Sequence, residues 1–573
     1  MDASYEKGFN PLYRSRVTCH MSPIFSYLCT FFDQRGFMKD LHGGITNCLL
    51  VQTKFSAYSF WNYQEVCEMV GKKYPAAPLG LLTVAALLPQ HWQFRLIDEN
   101  VEPLLDEHLQ TADLVCIGGM LPQQNSMLDL ITRAHKLDCI VVVGGPDPTS
   151  QPDLYKEADF LVLGEGEITI PMFLDDLQNG ARSGKYVSPE RANMLQAVVP
   201  RYDLIRFTDY IMIGLQFIRG CPFNCEFCDV IELYGRIPRF KTNEQVLNEL
   251  QSLYDLGYRG HIDMVDDNFI GNKKKVKDLL REIISWTKER KYPFYFTTEA
   301  SVNLADDDEL LQLMKDADFR YVFLGIETPD SETLALNNKN QNVGKSIEEA
   351  VMKIMSYGMV SNGGYILGFD SDRPHIADQM ISSIQDSGIC MAMIGLLYAL
   401  PNTQLTRRLE TEKRLFLYHS KSVTDSDIDQ MTSGLNFLTL TSRVEILKNY
   451  IRIIEAIFNP SNYYQRVIYT GLHVKTNYKH KPDFKTWLVY MRSFLRVCKK
   501  AGFSKATGKY YWRMFFTIIF RNPKGIEPAV NLAAMFIHFL KQKDYIVSVT
   551  NQIISGIENI GETAFNAKML GKN

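Results

Sequence analysis

The sequence predicts an α/β protein in three parts: a Rossmann-like parallel-sheet domain, a partial (β/α)6 barrel of the TIM type, and a mostly α C-terminal domain. Three observations predict it. Short apolar runs alternate with amphipathic helical stretches from residue 45 to 401, the pattern of parallel sheets covered by helices. Past residue 210 the period lengthens, and the polar residues that break it fall at strand C-terminal ends, where barrel chemistry sits. From residue 402 onward helical patterns rich in aromatics take over.

Residues 1–44 carry aromatics, Cys19 and Cys29 but no clear period, and form an extension of unassigned role. In the first domain, residues 45–185, strands are expected at 45–53, 92–100, 112–120, 139–148 and 158–167, with helices at 78–89, 126–137 and 168–180. Gly118-Gly119-Met120, Gly144-Gly145-Pro146 and Gly164-Glu165 follow three strand ends, where open sheets bind ligands because backbone can approach closely. Residues 186–210 read as a linker. The barrel, 211–401, is expected to hold strands at 214–219, 261–267, 293–300, 320–328, 362–370 and 391–400. Its helices are expected at 243–256, 273–289, 306–316, 345–357 and 374–387. The C-terminal domain spans 402–573.

Composition narrows the function. With 46% hydrophobic and 22% charged residues the chain is well cored and globular. A net charge of −3 argues against bulk electrostatic binding to nucleic acid. Eight cysteines outside the motif below are scattered through mostly apolar runs, as buried reduced thiols are, which points to a reducing cytoplasm. No apolar run reaches the ~18 residues of a membrane span. Residues 475–543 are rich in Lys and Arg beside bulky apolar residues and nearly free of acids. That segment reads either as a surface lying on an anionic bilayer or taking a lipid substrate, or as an ordinary helical domain with solvated lysines.

The chemistry is concentrated in FIRGCPFNCEFCDVIELYGRIPRFK, residues 217–241. Cys221, Cys225 and Cys228 form C-x3-C-x2-C in a Gly/Pro/Asn-rich loop after an apolar run. Three thiolates at this spacing can ligate three irons of one cubane and leave the fourth open to a small molecule. The alternatives are three ordinary buried cysteines or a zinc site. Structural zinc favours two paired spacings, and no second C-x2-C exists in the chain. Arg236 and Arg239 read equally as anion ligands or as partners of a protein acid.

C-x3-C-x-Phe-C resembles the signature of radical S-adenosylmethionine (SAM) enzymes. The first domain, placed directly before such a core, resembles the cobalamin-binding domain of the B12-dependent members. It departs from them in lacking D-x-H-x-x-G: His91 and His135 have neither the flanking Asp nor the Gly. Further stretches, among them RLIDENV, VDDNFIGN, GIETPD, ILGFDSD and LLYALPNTQLTRRLE, are similar to one subfamily. That subfamily carries an uncharacterised helical C-terminal domain (DUF4070-like) and includes the hopanoid C-2 methylase.

The resemblance implies a [4Fe-4S] cluster on Cys221, Cys225 and Cys228, SAM, and cobalamin. It implies SAM contacts from Phe227, Asp266, Asp267, Asn268, Glu299, Glu327, Gly363, Gly364, Gly368 and Leu400. Cobalamin contacts are expected from Gly118, Gly119, Met120, Gly144, Gly145, Pro146, Gly164 and Glu165. The implied reaction is cobalamin-dependent methylation of an unactivated carbon, consuming two SAM per turnover, on a small molecule such as a lipid or isoprenoid. Catalysis is expected to rest on the cluster and SAM, with no side-chain nucleophile. An external donor such as flavodoxin or ferredoxin would supply electrons. Other radical rearrangements, couplings or oxidations are the alternative chemistry, and a non-catalytic cobalamin or redox sensor the alternative class.

Overall fold

The computed structural model describes residues 45–56, 58–59, 62–417 and 429–571. The extension 1–44, with Cys19 and Cys29, lies outside the described residues.

In chain order the strands are β1 (Asn47–Gln52), β2 (Tyr74–Ala76), β3 (Gln93–Asp98), β4 (Leu114–Gly118), β5 (Ile140–Gly144), β6 (Phe160–Val162) and β7 (Gly184–Tyr186). They continue as β8 (Tyr210–Leu215), β9 (Ile218–Arg219), β10 (Arg239–Phe240), β11 (Gly260–Met264), β12 (Phe294–Ser301), β13 (Phe319–Glu327), β14 (Val360–Leu367) and β15 (Ala392–Leu396).

The first sheet runs β3-β1-β4-β5-β6-β7, every pair parallel. Its central strands are buried on both faces, which is why they read as unbroken apolar runs: Leu49, Leu50, Val51, Val115 and Val143 are all buried. The sheet gains β7 at the very end of the expected domain, one strand more than the five expected.

The second sheet runs β15-β14-β13-β12-β11-β8-β2, again all parallel. Six of its strands are those of the expected partial barrel. The seventh, β2, is a correction: it lies in the first-domain sequence but pairs with β8, Tyr74 opposite Tyr210 and Ala76 opposite Met212. The expected first barrel strand at 214–219 is also revised. β8 starts earlier and stops at Leu215, and β9 turns away to pair antiparallel with β10. The cause is a side chain. Oδ1 of Asp266 accepts the Phe217 and Ile218 amides, so a carboxylate takes the place of the neighbouring strand.

Barrel strands alternate buried and half-buried residues, because one face packs on helices and the other lines the lumen. Ile262, Met264, Phe296 and Thr298 face the helices, while His261, Asp263, Thr297 and Glu299 face inward. The covering helices span Asn243–Asp255, Lys273–Glu289, Asp308–Asp316, Ile347–Ser356 and Ile376–Ser387. Their starts are set by side-chain caps such as Thr242, Asn272, Asp307 and Ser346.

The C-terminal domain is helical, with the long helix Ile526–Ile560 packed against Arg443–Ile457 and Pro460–His473. It also grips the first domain: buried His538 donates its Nδ1–H to Glu65 at 2.7 Å, and Lys541 pairs with the same carboxylate at 2.8 Å. The segment before helix Phe484–Val497 seals the strand-start rim of the barrel. There Arg320 bonds the His480 carbonyl, and His480 approaches the Tyr292 carbonyl at 2.9 Å. The nine cysteines of the described residues are free thiols, and the six outside the motif are buried.

Candidate active site

The cysteine loop leaves the barrel at the strand ends. Gly220 takes φ +88, and a Cβ there would lie 2.8 Å from the Gly235 carbonyl, so only glycine permits this turn. Cys225 is buried, Cys221 and Cys228 half-buried. The loop is held from three sides: the Gly220 amide donates to Asp267, the Glu226 amide to the Asn337 carbonyl, and the Leu405 amide to the Glu226 carbonyl.

Asp266 and Asp267 thus serve as the buckle of the cysteine loop. Both are among the expected SAM contacts; in the structure one oxygen of each accepts hydrogen bonds from the amides of residues 217, 218 and 220. Oδ2 of Asp266 keeps no hydrogen-bond partner among the described residues. Asn268 donates its side-chain Nδ2 to Ser301 Oγ at 3.2 Å, and the same side chain bonds the Cys221 thiol.

Burial pushes the Asp266 carboxyl up to about 8, against the pull of the two amides, and the Asp267 carboxyl up to about 6. Between an unfolded value of about 4 and these folded values the native state binds more protons than the unfolded chain. Their stabilising contribution is therefore complete below about pH 4 and is lost as pH rises through 6 and then 8. The urea midpoint is expected to fall between about pH 4 and 8, and Asp266→Asn to flatten that fall. An unchanged slope in the variant would show that Asp266 does not carry it.

Glu327 ends β13 at φ +69, a left-handed conformation uncommon for a non-glycine residue. Its carboxylate is gripped by Lys339 at 2.6 Å, the two side chains 12% and 11% exposed. Lys339 was not singled out from the sequence. Burial disfavours its ammonium, but Glu327, Cys225 and Cys228 outweigh that and raise its pKa. Burial raises all three motif thiols. Three thiolates alone would be costly here, and a cationic iron centre removes that cost. Gln341 adds a weak donor, its Nε2 3.8 Å from Cys225 Sγ, while its Oε1 is buried without a partner. The donor set fits a cubane: three sulfurs, one facing ammonium, and no fourth protein thiol in the motif.

Inside the lumen, Thr297 donates to Asp263 at 2.6 Å and lies 2.8 Å from His261 Nε2. Glu299 is exposed to the lumen, with protein around it on several sides. Burial pushes its carboxyl up to about 8, with repulsion from Asp263 and Asp267 adding. Phe227 packs edge-on against Phe369 at 5.7 Å. The expected glycine contacts divide. Gly364 lies under the Phe323 ring on the lumen side, but the space beside Gly363 is filled by Ile326 and Tyr365, and that beside Gly368 by Leu435. The Leu400 carbonyl accepts Thr403 and Thr406 hydroxyls.

At the first sheet, Gly118-Gly119, Gly144-Gly145 and Gly164 line up along the C-terminal edge of β4, β5 and β6. Gly145, at φ +100, lies so close that its Cβ would be 3.0 Å from the Gly119 nitrogen, whereas a Cβ on Gly164 would meet nothing within 4 Å. Met120 is held by Gln123, and Pro146 opens the short helix Pro146–Ser150. Glu165, among the expected cobalamin contacts, is engaged through one oxygen by two barrel arginines. Its Oε2 takes Arg219 at 2.8 Å and Arg239 at 2.7 Å, which also gives Arg239 a protein acid as partner. His135 bonds Asp159 at the opposite rim and His91 sits beside Trp92, so neither histidine reaches the glycine edge. The edge fits a flat, backbone-contacting cofactor without a histidine ligand from these two residues.

The two edges face each other. Arg219 also binds Glu167 at 2.9 Å, and Asn402, past β15, donates to the Ser150 carbonyl at 2.9 Å. A Rossmann-like edge clamped over the strand ends of a cysteine-bearing partial barrel defines the B12-binding radical SAM class.

Sequence comparisons agree. Residues 72–174 match the B12 binding domain, 215–379 the radical SAM superfamily, and 403–552 a domain of unknown function (DUF4070). An uncharacterized methyltransferase, sll1242, of Synechocystis sp. is 40% identical over 491 residues, covering 85% of this chain and 90% of the relative. The hopanoid C-2 methylase of Rhodopseudomonas palustris is 40% identical over 342 residues, 59% of this chain and 65% of that enzyme. Among solved structures, the cobalamin-dependent SAM radical enzyme OxsB has a TM-score of 0.56 at 15% identity, covering 92% of this chain and 84% of that one. The radical SAM methyltransferase TsrM of Kitasatospora setae has a TM-score of 0.54 at 16% identity, covering 64% and 78%.

The chain belongs to the cobalamin-binding radical SAM family, in the branch that carries the DUF4070 domain. It is an enzyme whose cofactors are a [4Fe-4S] cluster, SAM and cobalamin.

Proposed function

We propose that this enzyme methylates an unactivated carbon of a small, largely apolar molecule of the lipid or isoprenoid type. One observation carries the reading: the glycine edge of the first domain is clamped over the barrel's strand ends by Arg219, Arg239 and Asn402, so two cofactors share one chamber. When bound, the cluster supplies the electron that cleaves SAM to a carbon-centred radical, and cobalamin supplies the methyl group.

The chain's own residues bind, orient and seal. Cys221, Cys225 and Cys228 would hold three irons, with Lys339 balancing the negative charge and Asp266 and Asp267 fixing the loop. The lumen walls combine aromatic Tyr295 and Phe323 with Asp263, Thr297 and Glu299. The upward shift of the Glu299 carboxyl favours its protonated form, which can donate a hydrogen bond and suits an apolar molecule bearing a hydroxyl or carbonyl. The names of the two 40% identical relatives, a methyltransferase and a hopanoid methylase, support the same class. We place the enzyme in the cytoplasm, fed by a flavodoxin or ferredoxin, with the C-terminal domain as the part that meets a membrane.

The test is anaerobic reconstitution with iron, sulfide and hydroxocobalamin, followed by assay of SAM products with an isoprenoid lipid panel. Methylation requires S-adenosylhomocysteine and 5′-deoxyadenosine in step with methylated lipid. Deoxyadenosine without S-adenosylhomocysteine would replace methylation by another radical reaction, and no SAM cleavage at all would leave a sensor.

A further inference from the structure

Residues 484–526 contain ten lysines and arginines and no aspartate or glutamate. In the fold this segment is unusual in a second way. Every exposed large aromatic among the described residues lies in it: Phe484, Trp487, Tyr490, Phe503, Phe516 and Phe520. Helix Phe484–Val497 has one face turned inward through Ser493 and Val497. Its other face presents Phe484, Trp487, Leu488, Met491 and Leu495, 73%, 45%, 37%, 38% and 60% exposed. These follow i, i+3, i+4, i+7 spacing, a continuous apolar stripe on a 3.6-residue helix. Helix Gly508–Arg521 continues the surface with a stacked ladder, Trp512 on Phe516 at 5.9 Å and Phe516 on Phe520 at 6.3 Å.

We infer that this surface docks on an anionic phospholipid bilayer, with the stripe of helix Phe484–Val497 and the Phe516–Phe520 ladder in the interfacial region and the surrounding cations at the headgroups. Charge decides the occupant. A second copy of the chain docking through the same face would set one cation-rich patch against another, with Lys500 paired to Glu68 at 3.4 Å, whereas an anionic membrane surface supplies the missing charge over the whole patch. Among the described residues no helix is long and apolar enough to cross a membrane, so the contact lies in the plane of the interface. The helix begins four residues after His480, which is fastened to the strand-start rim of the barrel. Docking would set that rim against the lipid, away from the cysteine loop at the strand ends. The lipid-type substrate proposed above gives the surface a purpose, but bilayer binding itself does not depend on it.

The reconstituted full-length protein is mixed with vesicles of phosphatidylcholine alone or with phosphatidylglycerol, and sedimentation and tryptophan quenching by brominated lipid are followed. Binding at least about tenfold tighter to the anionic vesicles is expected, falling with salt because the attraction is partly Coulombic. Trp487→Ser with Leu488→Ser, and separately Lys499→Glu with Lys505→Glu, should each lose about tenfold or more. Both should keep deoxyadenosine formation, which shows that they are folded. In Trp487→Phe, a change that fits the same space, the lipid quenching should drop. Equal binding to both vesicles, no binding, variants that bind as the parent does, or a dimer that the variants dissociate would each overturn the inference. None of these outcomes bears on methylation, which is read separately from the SAM products.

Discussion

Cys225→Ser yields a protein that folds but carries little iron and cleaves SAM at least about a thousandfold more slowly. Loss of a ligand should exceed the roughly 10–100-fold typical when only an outer-shell partner of a metal site is changed. Cys225 is the sharpest choice of the three because it is the buried one, with Lys339 and Gln341 turned towards it. Its neighbours are held by contacts that do not involve its sulfur, the Glu226 amide on Asn337 and the Leu405 amide on Glu226, so the loop itself should persist. Iron and sulfide analysis, the visible absorbance of the cluster and deoxyadenosine yield measure the effect. Full iron content with undiminished cleavage would remove Cys225 from the cluster. Cys221→Ser and Cys228→Ser are expected to behave alike.

Lys339→Met has the largest expected effect on stability. It leaves the Glu327 carboxylate buried at a strained strand end with no counter-charge, a loss of about 3–5 kcal/mol when one partner of a buried pair is removed. In a barrel of this size that is roughly a 10 °C drop in Tm. Removing both charges, Lys339→Met with Glu327→Gln, should recover most of the loss, because two buried charges are no longer left unbalanced. The pair also has a signature that stability alone would not produce. Lys339 faces Cys225 and Cys228, so taking away its charge should lower the cluster's reduction potential, and Glu327→Gln should raise it by unmasking the ammonium. Redox titration followed by electron paramagnetic resonance reads both directions. Equal potentials in the two single variants would confine the pair to a structural role.

Much of this molecule is local. The C-x3-C-x2-C spacing, the apolar runs of β1, β4 and β5, and the five barrel helices are short-range patterns, and the helices lie within two residues of where periodicity places them. Those features follow from repeat distances along the chain: thiols three and four residues apart, side chains every 2 or every 3.6 residues. The glycines at 118–119 and 144–145 are legible for the same reason, since a turn after a strand demands them in place.

What the sequence could not settle involves partners far away in the chain. β2 is three residues long and could join either sheet; only its pairing with Tyr210 and Met212 decides that it extends the barrel. The part Asp266 and Asp267 play in holding the cysteine loop is invisible until the fold brings the 217–220 amides within reach. Glu165 looks free until Arg219 and Arg239 arrive from the barrel, and Lys339 carries no local signal because its meaning depends on Glu327 and the cysteine loop. The basic aromatic segment 475–543 is visible as composition, but whether its rings are core or surface is a matter of which helices pack against it. The sequence by itself determined the class of cofactor and the order of domains, because motif spacing and periodicity are properties of neighbouring residues. Only the tertiary structure decided which polar groups remain for ligands and which apolar faces remain for partners, because that depends on what the rest of the chain has already covered.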